Sequence, residues 1–182
     1  ESGTTYALFG MSLLKSNVGI IVGGVGLILR TTDGGINWSQ INTVSTKGLY
    51  TVSLAESGLG VATGKTLLRT TDAGETWTES EIADRTAGYY SVGVAEDGTA
   101  IVVGCGDDGK ILRSTDGGVS WSNLVMDSST ERYLYGVSMM NQREGIAVGE
   151  SGIILKTSDG GSSWSSMTRG VRTAFHSLSF PA

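Results

Sequence analysis

One phrase recurs four times along this chain, and the spacing of its copies leaves few folds open. It reads Leu29-Arg30-Thr31-Thr32-Asp33-Gly34-Gly35-Ile36-Asn37-Trp38 and returns at Leu68 to Trp77, Leu112 to Trp121 and Leu155 to Trp164. The shared pattern is Leu-Arg/Lys-Ser/Thr-x-Asp-x-Gly-x-x-Trp, and it holds all four tryptophans of the protein. Trp38, Trp77, Trp121 and Trp164 lie 39, 44 and 43 residues apart. That is the length of one four-stranded propeller blade and too long for a leucine-rich-repeat turn. Each unit reads as short alternating strands between turn residues, with no apolar 3.6-residue period long enough for a helix. The 28 glycines against a single proline, Pro181, suit many tight turns, and the Gly-X-Y period of collagen is missing.

The units, about 5–44, 45–84, 85–128 and 129–170, predict four strands each within a single propeller domain. Strand one is expected at Tyr6–Leu13, Leu49–Ala55, Tyr89–Ala95 and Leu134–Met140, and strand two at Gly19–Gly23, Gly60–Thr63, Ala100–Gly104 and Gly145–Gly149. Strand three is expected at Leu27–Thr31, Thr66–Thr70, Lys110–Ser114 and Ile153–Thr157, and strand four begins at each Trp. A fifth copy of strand one, Ala174–Phe180, lies in the extra segment 171–182. Its Leu178 keeps phase with Met11, Val52, Val92 and Val137, so it is expected to pair like the others. The fold class is therefore all-β, a small β-propeller of four blades plus one extra C-terminal inner strand. Three arrangements accommodate that remainder: a compact four-blade ring, a piece of a longer propeller, or half of a ring completed by another chain.

The phrase suits a hairpin between strands three and four. Asp33, Asp72, Asp116 and Asp159 are placed to accept hydrogen bonds from turn N–H groups and from the hydroxyl two residues earlier. Gly35, Gly74, Gly118 and Gly161 supply positive φ. Trp38, Trp77, Trp121 and Trp164 each lay an apolar face between sheets, with an indole N–H seeking one acceptor. A fastener of the fold is needed once per blade and a catalytic group once per protein, so the fourfold recurrence marks these residues as structural. Arg30, Arg69, Arg113 and Lys156 share one position just before the box. In a ring they form a basic circle suited to carboxylates or an acidic peptide, and they are read as a partner-binding row. The competing reading is an inter-blade salt bridge or a solubilising rim.

These residues resemble the Asp-box, or BNR repeat, of sialidases, sortilin-type receptors and many secreted propellers. The longer unit adds an apolar strand with a central Val, then Gly-x-x-x-Val-Gly, then Gly-x-Ile-Leu-Arg-Thr-x-Asp-Gly-Gly-x-x-Trp. In that form it is most similar to the photosystem II stability/assembly factor family. The resemblance implies a non-catalytic protein-interaction or assembly scaffold associated with a photosynthetic membrane complex. Its partner would be a protein, a photosystem subunit or an acidic peptide, and its compartment non-cytosolic, with the thylakoid lumen favoured over a secreted or extracellular setting. The alternative is a secreted or phage-borne binding propeller that takes glycans.

Other classes find less support. A formal charge of −5 argues against nucleic acid as partner, and the longest apolar run, Val18 to Leu29, is too short and glycine-rich to span a membrane. Glu1 opens the numbering without an initiator Met, which reads as a processed or trimmed terminus. A sialidase-like site needs three converging arginines, and Arg85, Arg132, Arg143, Arg169 and Arg172 are available. The Arg-Ile-Pro signature is missing, so no catalytic residue is assigned. Tyr89, Tyr90, Tyr133 and Tyr135 open two inner strands and suit either a sugar shelf or packed blade ends. The run Gly104-Cys105-Gly106-Asp107-Asp108-Gly109 lacks the Lys-Ser/Thr of a phosphate loop and alternating calcium ligands, so it reads as a turn. Single Cys105 and His176 support no metal site, and no cofactor is expected.

Overall fold

The computed structural model describes residues 3–81, 88–105, 110–124, 133–167 and 172–179. It contains four antiparallel sheets of four strands, each a meander in chain order. The first holds β1 (Leu8–Leu13), β2 (Gly19–Gly23), β3 (Ile28–Thr31) and β4 (Ser39–Ile41). The second holds β5 (Leu49–Leu54), β6 (Gly60–Gly64), β7 (Leu67–Thr70) and β8 (Thr78–Glu79). The third holds β9 (Gly88–Val94), β10 (Ala100–Cys105), β11 (Ile111–Ser114) and β12 (Ser122–Leu124). The fourth holds β13 (Leu134–Met139), β14 (Gly145–Gly149), β15 (Ile154–Thr157) and β16 (Ser165–Ser166).

The strands fall where the alternation places them, with two consistent shifts, the first being that strand three opens one residue later than expected, at Ile28, Leu67, Ile111 and Ile154. Strand four begins one residue after each tryptophan, at Ser39, Thr78, Ser122 and Ser165. The indole belongs to the turn rather than to the ladder. The short, apolar second strands form here because their residues are buried on both faces. Along β2, Ile20 and Val22 pack toward the second sheet, where they meet Leu49, Val52, Leu68 and Trp77. Along β6, Ala62 faces back into that same layer, while Val61 faces forward to Tyr89 and Val92 of the third sheet. A third layer sets Ile101, Val103 and Ile111 against Leu134, Val137 and Leu155. Each buried aliphatic or aromatic side chain in these layers contributes roughly 1.5–3 kcal/mol.

The inner strands pack in the order β1, β5, β9, β13, and serines stitch them together, Ser12 and Ser53 from one repeat position and Ser91 from two residues earlier in its unit. Leu54 N–H donates to Ser12 Oγ at 3.1 Å, Val94 N–H to Ser53 Oγ at 3.2 Å, and Val137 N–H to Ser91 Oγ at 3.1 Å. The order does not return on itself, since β13 and β1 make no packing of this kind. The compact four-blade ring is therefore not what forms: the blades trace an arc. Its leading edge is open, with Leu8, Phe9, Met11 and Leu13 of β1 between 40% and 63% exposed.

The C-terminal segment 172–179 takes the seat of a fifth inner strand. Phe175 N–H donates to the Gly149 carbonyl at 3.0 Å, and Ser177 and Leu178 lie against Gly136, much as Thr51 lies against Gly10. It forms no ladder, unlike the inner strands of the four blades. In those, the second strand of the same unit supplies the hydrogen-bonding partner.

Candidate functional site

The box residues build one turn four times over. Thr31 Oγ1 donates to Asp33 Oδ1 at 2.7 Å and accepts from Gly35 N–H at 3.0 Å, while Asn37 N–H donates to Asp33 Oδ1 at 2.9 Å. Thr70 with Asp72, Ser114 with Asp116 and Thr157 with Asp159 repeat the hydroxyl bond at 2.7 to 2.8 Å. The four carboxyls sit at about 2 against an ordinary 3.8. The Asn37 N–H leads at Asp33, the Ser120 hydroxyl at Asp116 and the Ser163 hydroxyl at Asp159. At Asp72 desolvation pushes the carboxyl up, and the bonds from Thr76, Thr70 and Glu75 outweigh it. These carboxylates spend their lone pairs on their own turns.

Positive φ is needed at two successive positions, including Ala73 at 52° and Gly74 at 81°. Trp38, Trp77 and Trp121 return their indole N–H to the carbonyls of Gly35, Gly74 and Gly118 at 3.0 to 3.2 Å. Trp164 Nε1 is buried without a partner, one of two such side-chain atoms among the described residues.

The basic row is tied into the fold. Arg30 Nε donates to the Ala73 carbonyl at 3.0 Å, Arg69 Nε to Gly117 at 2.9 Å, and Arg113 Nε to Gly160 at 2.6 Å. Each acceptor follows the Asp of the next blade, so every arginine clamps the following box. Lys156, at the same position in the fourth blade, pairs instead with Glu144 at 3.3 Å. The expected inter-blade role thus exists, with a backbone carbonyl as the acceptor rather than a carboxylate.

At the opposite mouth the inner strands carry a feature that residue-by-residue reading overlooked. Each ladder skips one residue near its start, namely Phe9, Tyr50, Tyr90 or Tyr135. Such a β-bulge re-aims the extra side chain. The four rings form a row with centroids 5.9 to 6.3 Å apart, extended by His176 stacked on Tyr135 at 4.9 Å. An aromatic residue two positions before the phase-marking Met11, Val52, Val92, Val137 and Leu178 was the available signal. Of the tyrosines singled out above, Tyr90 and Tyr135 join this row, Tyr89 is buried in the core, and Tyr133 is 44% exposed.

Arg143 and Arg172 are both exposed, and Arg85, Arg132, Arg169, Asp107 and Asp108 lie outside the described residues. Among the described residues no group of three His, Cys, Asp or Glu is placed to hold a metal, and no helix is long and apolar enough to cross a membrane.

A family model described as photosynthesis system II assembly factor YCF48 matches residues 2–95 and again 89–173. The chain belongs to that family. Its fold is that of YCF48 from Cyanidioschyzon merolae, with a TM-score of 0.72 and 23% identity over 98% of this chain. The chain spans 61% of that YCF48 structure's length. A GH74 enzyme of Niastella koreensis shares the fold at a TM-score of 0.70 and 16% identity, over 87% of this chain and 29% of the enzyme. A structure of YCF48 bound to D1 peptide aligns at 20% identity over 89% of this chain and 67% of that one. Its TM-score of 0.41 is too low for a blade-by-blade comparison. No curated protein sequence matches this chain.

Proposed function

We propose that this chain is a non-catalytic, protein-binding propeller that serves the assembly of a photosystem II complex, with the thylakoid lumen as its compartment. The observation that carries the reading is the family match, which runs through all four blades. The chemistry agrees with it: the four repeated carboxylates are consumed by their own turns, leaving a scaffold rather than a reactive centre. The partner is a segment of a photosystem subunit presenting carboxylates, and the row Arg30, Arg69, Arg113 and Lys156 is where it docks. Each arginine spends its Nε on the next blade and keeps its positive charge for a ligand.

Two variants separate binding from fastening. Arg30, Arg69 and Arg113 changed together to Lys keep the charge and lose the clamp, so capture of solubilised photosystem II subcomplexes is expected to persist while the melting temperature falls. Lys156→Glu is expected to weaken capture without moving the melting temperature. Unchanged capture by Lys156→Glu, beside lost stability in the triple variant, would leave the row purely structural. The aromatic row, exposed at Phe9 and Tyr90 and half-buried at Tyr50 and Tyr135, favours a second reading as a glycan-binding propeller, because ring faces and edges pack on sugars. A glycan array without a hit removes it.

A further inference from the structure

The inner mouth sets three phenols from three successive blades within reach of one another. Tyr50, Tyr90 and Tyr135 are the residues that their ladders skip, and the skip turns each ring toward its counterpart on the next blade. Tyr50 and Tyr90 lie stacked, with centroids 6.3 Å apart and planes 24° from parallel. Tyr90 and Tyr135 are closer, at 5.9 Å, and tilted by 53°. The joint beneath this second pair is fixed. Val137 N–H donates to Ser91 Oγ at 3.1 Å, Ser91 follows Tyr90 in the chain, and Val137 stands two positions after Tyr135. His176 stacks on Tyr135 at 4.9 Å and holds that ring in turn. Tyr90 is 39% exposed and Tyr135 half-buried, so a dissolved reagent reaches the pair.

Phenols held in this way can couple. A one-electron oxidant, such as a ferryl haem or a photogenerated ruthenium(III) complex, takes one electron from each phenol while the hydroxyl proton passes to water. The unpaired electron of each phenoxyl radical spreads to the ring carbons beside C–O, Cε1 and Cε2. One bond then forms between a Cε of each ring, and the hydrogen on each of these two carbons moves through water to the phenol oxygen. Two phenols become one biphenol, with two electrons gone to the oxidant and two protons to water. In the product the rings meet edge to edge and twisted, because the groups beside the new bond crowd one another when the rings are coplanar. Tyr90 and Tyr135 already meet at such a tilt, whereas Tyr50 lies face to face with Tyr90.

We propose that Tyr90 and Tyr135 form an oxidative coupling site, at which a one-electron oxidant joins the third and fourth blades by a dityrosine cross-link. The site is independent of whichever partner the propeller binds. Proximity drives the step, since two radicals fixed on neighbouring inner strands meet within the molecule before either meets another chain. The cross-link ties residues 45 positions apart and so restrains the unfolded chain as a disulfide does. It adds a covalent bond to a joint that Ser91 already stitches.

Brief illumination of the dilute full chain with a ruthenium(II) tris-bipyridyl complex, with persulfate as the final electron acceptor, tests this. The expected product is a single chain lighter by two hydrogen atoms, with dityrosine emission, whose tryptic map joins the peptide of Tyr90 to that of Tyr135. Its melting temperature is expected to rise by roughly 5–15 °C. Tyr90→Phe and Tyr135→Phe each keep the ring and lose the phenol, and each is expected to abolish the product. Tyr50→Phe and Tyr133→Phe are expected to form it. In urea beyond the unfolding transition the yield is expected to fall about tenfold or more. A map that joins Tyr90 to Tyr50 in place of Tyr135 would overturn the assignment, as would a yield as high in urea as in buffer. So would a natural chain that gives no dityrosine, or gives it only between chains.

Discussion

Alanine at the second glycine of a box separates two costs that the repeat normally combines. On Gly74, at φ +81°, the new Cβ would fall on Ile20 Cδ1 and lie 2.8 Å from Ile20 Cγ1, and Ile20 is fully buried. Gly35, at φ +94°, holds the same position in blade 1, yet the nearest atoms its Cβ would meet are those of Trp38, no closer than 3.4 Å. Both alanines bear the left-handed backbone cost of about 1–2 kcal/mol. Only Gly74→Ala also overpacks a joint, for about 1–3 kcal/mol more. Expected losses are therefore about 1–2 kcal/mol at Gly35 and about 2–5 kcal/mol at Gly74. Urea unfolding followed by tryptophan fluorescence reads both from midpoints at constant slope. Gly161→Ala, directed at Ile101, should behave like Gly74→Ala. Equal losses at Gly35 and Gly74 would refute the claim that each box packs on the preceding blade and that blade 1 has no such neighbour.

Other outcomes follow from the same geometry. Thr70→Val keeps the shape and strips the buried Gly74 N–H and Asp72 of a partner, so a loss of about 1–3 kcal/mol is expected by thermal or urea unfolding. Arg69→Ala leaves the Gly117 carbonyl without its clamp and should cost roughly 1 kcal/mol, whereas Lys156→Ala should stay within about 0.5 kcal/mol; equal effects would deny the clamp. The four box carboxyls sit at about 2 in the folded chain, below their ordinary 3.8. Their contribution is therefore complete above about pH 4 and is lost as pH falls toward about 2, which melting curves at stepped pH will follow. A melting temperature flat across that window would contradict the bond pattern of the turns.

The amino-acid sequence alone determined the repeat, its phase and the strands, because those depend on alternation and on turn residues a few positions apart. Leu29, Asp33, Gly35 and Trp38 meet within one hairpin, so their pattern is legible without knowing what lies beside it. Contacts between residues some forty positions apart were decided by the tertiary structure. The carbonyl that Arg69 clamps belongs to Gly117, and the bulges that turn Tyr50, Tyr90 and Tyr135 into one row arise from ladder register. No local pattern announces such partners, since a strand's register and its neighbour's distance are set when sheets stack. Whether four blades close was likewise undetermined by periodicity. It depends on whether β13 reaches β1, and the packing leaves them apart with Met11 and Trp38 at an open edge.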